Sequence, residues 1–294
     1  MSHFVVVGAG QAGSSLVAKL RSAGFDGKIT LIGAESVPPY QRPPLSKAYL
    51  LGEMEEERLY LRPESFYAEQ GIDLKVSTRA VGIDPKGRIL TLEAGQEPIS
   101  YDALALTTGS HPRMLPAAIG GDLEGVMTMR DLRDADGMAP ELVAGRKVLI
   151  VGGGYIGLEA AAVCGRKGLE VTLVEAADRI LQRVAAPETS AYFRELHGSH
   201  GVTLREGVGL ERLLGDERVT GARLTNGEEI EADFVVVGVG IEPATILAAS
   251  AGLTIDNGIA TDIHCRTSDP HIWAAGDCAS CLFEGNRIRL ESVG

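Results

Sequence analysis

The chain has 294 residues, 45% hydrophobic and 23% charged, with a formal net charge of −12. That is apolar material for about two globular domains, and the acidity argues against nucleic acid and anionic membranes as partners. The longest apolar runs, such as residues 234–239, are far too short to span a bilayer. The N-terminus enters a strand pattern at once, without a secretory signal, and the four cysteines are scattered. Both features point to a reducing, cytoplasmic setting.

In chain order, an apolar strand at residues 4–7 runs into Gly8-Ala9-Gly10-Gln11-Ala12-Gly13 and then a helix. A second strand at 29–32 leads to Glu35. Pro38-Pro39 and Pro43-Pro44 stiffen the next loop, and residues 53–57 read as a solvated acidic face. Segments 79–84 and 88–92 flank Pro-Lys-Gly as a hairpin. A terminal strand at 101–106 runs into Thr107-Thr108-Gly109 and reaches Pro112.

The second half repeats this order. A strand at 147–151 meets Gly152-Gly153-Gly154-Tyr155-Ile156-Gly157, a helix runs to about Lys167, and a strand at 171–174 delivers Glu175. A hairpin follows at 210–214 and 219–224. A terminal strand at 232–237 runs into Gly238-Val239-Gly240 and reaches Pro243. Two Gly-rich turns, each with an acid after the second strand and a matching terminal strand, predict two dinucleotide-binding domains.

The chemistry explains the residue types. The first glycine of each turn allows a tight bend, the second lets backbone approach a diphosphate, and the third lets helix pack on strand. The helix N-terminus then offers free N–H groups to the anion. Glu35 and Glu175 stand where a carboxylate accepts hydrogen bonds from ribose hydroxyls. Glu175 would repel a 2′-phosphate, which favours NADH over NADPH, although Arg179 and Arg183 lie close to it. Backbone at Val239 and Gly240 can approach the nicotinamide. Each acid also has a plainer reading as a strand cap, and the Val239-Gly240 step as a simple turn.

Further motifs carry a resemblance. Pro39-Tyr40-Gln41-Arg42-Pro43-Pro44-Leu45-Ser46-Lys47, Gly153-Gly154-Tyr155-Ile156-Gly157-Leu158-Glu159, Ala275-Gly276-Asp277-Cys278-Ala279 and Glu291-Ser292-Val293 occur in one order along essentially the whole chain. Together they resemble the oxygenase-coupled, NADH-dependent ferredoxin reductases. The resemblance implies an α/β, glutathione-reductase-like fold of two Rossmann-type domains in three β/β/α layers. The FAD domain is expected at 1–112 and 242–294, with the NAD domain inserted at 113–241. Members continue for roughly another domain after Glu-Ser-Val. Ending at Gly294, this chain is expected to lack that interface domain.

By the same resemblance, Gly8, Gly10, Ala12, Gly13, Glu35, Arg42, Lys47, Ala80, Thr108, Gly109, Arg130, Asp277 and Val293 are expected to hold FAD. Gly152, Gly154, Tyr155, Ile156, Gly157, Glu159, Glu175, Arg183, Val239 and Gly240 are expected to hold NAD(H). Lys47 would lie near the flavin, paired with Glu159, where a cation favours the reduced ring. The residues alone read more plainly, as a loop lysine and a helix-start acid.

The implied activity passes electrons from NADH through FAD to a [2Fe–2S] ferredoxin, or to a rubredoxin; a monomer is expected, since nothing in the sequence marks a dimer face. The same fold serves NADH oxidases and monodehydroascorbate reductases with small-molecule acceptors, and non-catalytic redox-sensing flavoproteins. The cysteine pair of disulfide-reducing relatives would fall near residues 40–50, where there is none. Cys164 reads as a buried small hydrophobe. Cys278 and Cys281 form Cys-x-x-Cys, but Cys278 belongs to the flavin motif, and two cysteines cannot complete a zinc site. His197 and His200 fall in a polar helix end read as exposed, and no histidine is assigned to catalysis.

Overall fold

The computed structural model describes residues 2–290. The chain opens with β1 (His3–Val7), α1 (Gln11–Ser22), β2 (Lys28–Ile32), α2 (Glu64–Glu69) and β3 (Ile72–Lys75). It continues through β4 (Ala80–Asp84), β5 (Ile89–Leu92), β6 (Ile99–Ser100), β7 (Ala103–Leu106), β8 (Ser110–Pro112), β9 (Val126–Met127) and α3 (Leu132–Met138). Next come β10 (Lys147–Val151), α4 (Tyr155–Arg166), β11 (Glu170–Glu175), α5 (Pro187–Ser199) and β12 (Thr203–Glu206). The strands β13 (Leu210–Leu214), β14 (Gly221–Leu224), β15 (Glu229–Glu231), β16 (Phe234–Val237) and β17 (Ile241–Pro243) lead to α6 (Ile246–Ser250). The last strands are β18 (Ile259–Thr261), β19 (Ile272–Ala274), β20 (Ala279–Phe283) and β21 (Asn286–Ile288). Among the described residues no helix is long and apolar enough to cross a membrane.

Two compact units result. One holds Met1–Gln41, Leu59–His111 and Glu242–Gly294; the other holds Arg42–Arg58 and Pro112–Ile241. Residues Arg42–Arg58, expected in the first domain, therefore group with the second unit. Side chains explain this. Ser46 and Lys47 bond Glu159 of α4, Glu53 meets Arg166 at 2.7 Å, and Lys167 Nζ donates to the Leu51 carbonyl at 2.9 Å. Tyr49 donates to Asp136 of α3 at 2.7 Å.

The first unit is built on a parallel sheet in the order β19-β7-β1-β2-β3. Alternation along its strands assigns the two faces. Val5, Val7, Leu104 and Leu106 join Leu90, Leu92 and Tyr101 in one core, under the antiparallel sheet β4-β5-β6. Val6, Ala105, Ile29 and Leu31 join Val17 of α1 and Tyr67 of α2 in the other. The layers are thus antiparallel sheet, parallel sheet and helices, the three-layer arrangement that the resemblance implies.

The second unit repeats the plan with the parallel sheet β12-β11-β10-β16-β9 and the antiparallel sheet β13-β14-β15. Leu149, Val151, Val235 and Val237 pack against Leu213, Ala222 and Leu224. Cys164 of α4 is fully buried, and burial pushes its thiol up to about 12. Both predicted hairpins are three-stranded, because β6 and β15 add short third strands.

One expectation is corrected. His197, read as exposed, is buried in α5, its ring 6.4 Å from that of Phe193. Burial, with His200 adding, lowers its imidazole below the ordinary 6.5. Burial, with Lys28 adding, does the same to His3, whose Nε2 lies 2.9 Å from Thr30 Oγ1.

Both imidazoles stay neutral in the folded chain at pH values where the unfolded chain already takes up protons. Stability contributed by these rings is therefore full at neutral pH and lost as pH falls below about 6.5. The urea midpoint is expected to drop between about pH 7.5 and about pH 5.5, and a His3→Asn, His197→Asn double variant should show a shallower drop.

Candidate functional site

The two Gly-rich turns solve one packing problem in the same way. Gly8 and Gly152 have φ of +113° and +110°, and a Cβ on either would run into the carbonyl of Thr107 or Gly238 on the neighbouring strand exit. A Cβ on Gly13 or Gly157 would run into the carbonyl of Gly8 or Gly152. Gly10 and Gly154 differ: nothing lies within 4 Å of a Cβ built on either. The middle glycine is thus the open face of each turn. Gly10 and Gly154 are also extended N-caps without a side-chain cap bond, and neither α1 nor α4 has an acid in its first turn. Both helix starts thus present backbone N–H groups that no side chain caps, as a diphosphate requires.

Around the first turn, Thr107 Oγ1 donates to the Gly8 carbonyl at 2.8 Å. Thr108 Oγ1 donates to Ala244 O at 2.8 Å, and Gly109 O accepts from Ala244 N at 2.9 Å. A Cβ on Gly276 would stand 3.1 Å from the Ala12 methyl, so the loop carrying Asp277 lies against the turn. Asp277 Oδ2 accepts from the buried Ser110 hydroxyl at 2.9 Å. Glu35 Oε2 accepts from the buried Tyr40 hydroxyl at 2.5 Å. Ala80 begins β4 and pairs with Leu92.

Arg62, half-buried, donates to Ser14 Oγ at 2.9 Å and lies over the Phe66 ring at 5.1 Å. Among the described residues no carboxylate pairs with it. Ser14 belongs to the start of α1, and a helical side chain leans toward the preceding turn. A cation is therefore held beside the first Gly-rich turn.

Around the second turn, Glu175 is already engaged. Its Oε2 accepts from Gly153 N at 2.7 Å and its Oε1 from Ala177 N at 2.8 Å. The carboxylate thus braces its own Gly-rich loop and keeps its remaining lone pairs for a ligand. Arg179 is committed to Ser190 Oγ at 2.6 Å and Gln182 O at 3.3 Å, whereas Arg183 is exposed. Tyr155, Ile156 and Val239 expose 58%, 38% and 38% of their surface at this end of the sheet, a large apolar area for such a strongly packed unit. Gly240 has φ of +106°, and its carbonyl accepts from Arg113 N at 2.9 Å.

Lys47 and Glu159 meet in the second unit. Lys47 Nζ lies 2.7 Å from Glu159 Oε2, and the same oxygen accepts from Ser46 Oγ at 2.5 Å. Ser46 is only 3% exposed, while the Lys47 side chain is 50% exposed. Lys47 sits inside a π-type turn, Leu45–Tyr49, with φ −135° and ψ −112°, outside helical values. Its ammonium also donates to Pro43 O at 3.1 Å. Arg42 Nη1 donates to Arg130 O at 2.6 Å.

Of the residues expected to hold FAD, Gly8, Gly10, Ala12, Gly13, Glu35, Ala80, Thr108, Gly109 and Asp277 lie in the first unit. Arg42, Lys47 and Arg130 lie in the second, and Val293 lies outside the described residues. The NAD(H) set, Gly152 to Gly157 with Glu159, Glu175, Arg183, Val239 and Gly240, lies in the second unit. The sequence reading missed Tyr40, Ser46, Arg62, Thr107 and Ser110. Tyr40 and Ser46 stand inside the quoted motif, but nothing local marks their long-range hydroxyl partners.

Two Rossmann-type units, each with an open middle glycine and an acid after its second strand, define an α/β protein with two dinucleotide sites. Residues 2–293 match the pyridine nucleotide-disulphide oxidoreductase family, and the chain belongs to it. Members of this family of flavoprotein oxidoreductases contain FAD and use NAD(H), and both turns fit such nucleotides.

The ferredoxin reductase subunit of 5,5′-dehydrodivanillate O-demethylase from Sphingobium sp. (strain NBRC 103272 / SYK-6) is 44% identical, covering 100% of this chain and 72% of that protein. The rubredoxin-NAD(+) reductase of Pseudomonas putida is 40% identical, covering 98% of this chain and 75% of that one. In the crystal structure of the covalent putidaredoxin reductase–putidaredoxin complex, the matching chain superposes with a TM-score of 0.95 at 39% identity. That match covers 99% of this chain and 72% of that one.

The glycines separate folding from binding. Gly10→Val is expected to melt within about 3 °C of the parent while losing most bound flavin, because its side chain enters open space at the helix start. Gly13→Val should fail to fold, because its Cβ meets the Gly8 carbonyl. Melting curves together with flavin content after gel filtration distinguish the two.

Proposed function

We propose that this protein is an NADH-dependent ferredoxin reductase, which passes electrons from NADH by way of FAD to a [2Fe–2S] ferredoxin serving a monooxygenase or dioxygenase. The observation that carries the reading is the cluster of Ser46, Lys47 and Glu159. Ser46 and Lys47 stand in the stretch, residues 40–50, where disulfide-reducing relatives would carry a cysteine pair, and Glu159 of α4 holds both. The similarity to a ferredoxin reductase subunit and to a reductase crystallised with its ferredoxin supports the same acceptor.

The residues divide the work. Gly8, Gly10, Ala12 and Gly13 receive the FAD diphosphate at the start of α1, with Arg62 adding charge. Glu35 takes the ribose, Ala80 meets the adenine, and Asp277, Thr108 and Gly109, like Arg42 and Arg130 of the second unit, serve the rest of FAD. FAD supplies a ring that accepts a hydride and gives up electrons singly. Gly152, Gly154, Tyr155, Ile156 and Gly157 receive NADH, and Val239 and Gly240 leave room for the nicotinamide. Glu175 accepts from the ribose and repels a 2′-phosphate. Because of this repulsion, and because Arg179 is tied to Ser190, NADH is preferred over NADPH.

Lys47 provides the positive charge that favours ring reduction. Glu159 and Ser46 fix its position, through two bonds to one carboxylate oxygen. The protein acts as a cytoplasmic monomer, binding neither nucleic acid nor membrane. A rubredoxin is the second candidate acceptor, favoured by the similarity to a rubredoxin reductase.

Anaerobic stopped-flow mixing tests the donor side. NADH is expected to bleach the flavin at least tenfold faster than NADPH. Lys47→Ala should keep the flavin and bleach at least tenfold more slowly, and Ser46→Ala roughly fivefold more slowly, about the weight of one hydrogen bond. Cytochrome c reduction then tests the acceptor: dependence on added [2Fe–2S] ferredoxin supports the proposal. Equal rates without it, or oxygen consumption in its place, would overturn it.

A further inference from the structure

A loop at residues 176–186, between β11 and α5, carries both Arg179 and Arg183. It lies on the second Gly-rich turn. Leu181 N donates to Gly153 O at 2.9 Å, and a Cβ on Gly153 would stand 2.6 Å from Ile180 Cγ2. Ile180 is fully buried, and Leu181 holds φ of +54°, a left-handed conformation that a branched side chain disfavours. Such a conformation persists only where the surrounding bonds over-determine it.

Those bonds hold Ile180 at both of its backbone groups. Ile180 O accepts from the buried Ser190 hydroxyl of α5 at 2.6 Å, and the same hydroxyl oxygen accepts from Arg179 Nη1 at 2.6 Å. Ile180 N donates to Glu206 Oε1 at 2.7 Å. Glu206, the last residue of β12, also takes Arg194 of α5 in a two-pronged pair, Nε to Oε2 at 2.5 Å and Nη2 to Oε1 at 3.0 Å. Its side chain is only 16% exposed. Burial opposes the charge on Glu206, but the bonds from Arg194 and from Ile180 N outweigh it and hold the carboxyl below the ordinary carboxylate range. One carboxylate thus ties β12, α5 and the loop together, although Glu206 belongs to none of the sequence motifs.

We propose that Glu206 is a positioning residue that sets the preference for NADH over NADPH, by holding the 176–186 loop on Gly153 and Arg179 on Ser190. Without this carboxylate, Ile180 N loses its acceptor and Arg194 loses its partner. A buried amide without an acceptor is costly, so the loop lifts from the turn until water reaches it. Arg179 then leaves Ser190 and becomes available to a 2′-phosphate. Ala177 N, which braces Glu175 Oε1 at 2.8 Å, moves with the loop, and the ribose acceptor loses its fixed position. The inference rests on the proposed preference for NADH and names the residue that maintains it.

The test titrates FAD-loaded protein with NAD+ and NADP+ by isothermal titration calorimetry, beside the maximal rate of flavin bleaching by NADH. The parent should bind NAD+ at least tenfold more tightly than NADP+. A parent without that preference overturns the reading of the donor site, and this inference with it. In Glu206→Leu, NAD+ should bind about tenfold more weakly while NADP+ binding holds or improves, and the maximal bleaching rate should stay within about twofold. Glu206→Gln keeps an oxygen for Ile180 N and should lie between Glu206→Leu and the parent. Should Glu206→Leu not fold, Arg194→Met, which opens the clamp from the other side, must lower the ratio of the two affinities at least twofold. A parental ratio in the folded variants, or an equal loss of both affinities, overturns the proposal.

Discussion

A helix that begins straight after a strand can lie against that strand only where the touching residue has no side chain. Gly13 and Gly157 meet this constraint against the carbonyls of Gly8 and Gly152, and the rest of each unit follows from it. Close contact puts the first turns of α1 and α4 at the C-terminal edge of a parallel sheet, beside the central strands β1 and β10. There the backbone N–H groups converge on the space left open by Gly10 and Gly154. The positive end of the helix dipole and the open glycine coincide, so an anionic diphosphate has one place to go in each unit.

Charge is then distributed around these two places in different ways. In the first unit, Tyr40 orients Glu35 through a hydroxyl, and Arg62 sits beside the helix start without an acidic partner among the described residues. In the second, Glu175 is braced by the backbone of its own loop. The first arrangement sets a cation beside the helix start. The second sets a carboxylate there instead. Lys47 stands in the segment Arg42–Arg58, which several bonds fasten to α4.

Much of this was legible in the chain. The glycines, the acids at Glu35 and Glu175 and the terminal strands at residues 101–106 and 232–237 are local patterns, each dictated by strand period or turn conformation. What stayed hidden depends on contacts far apart in sequence. β6 and β15 are too short to show a period. The grouping of Arg42–Arg58 depends on pairs such as Glu53 with Arg166. His197 follows polar neighbours, yet its face of α5 turns inward.

The central claim is that the chain carries two separate dinucleotide sites, one for a resident flavin and one for an exchanging donor. Equilibrium dialysis of FAD-loaded protein against NAD+, followed by nucleotide analysis, measures this directly. The account predicts one FAD retained per chain while NAD+ saturates at one per chain without displacing it. Flavin released in proportion to the NAD+ taken up would mean a single shared site and would contradict the account.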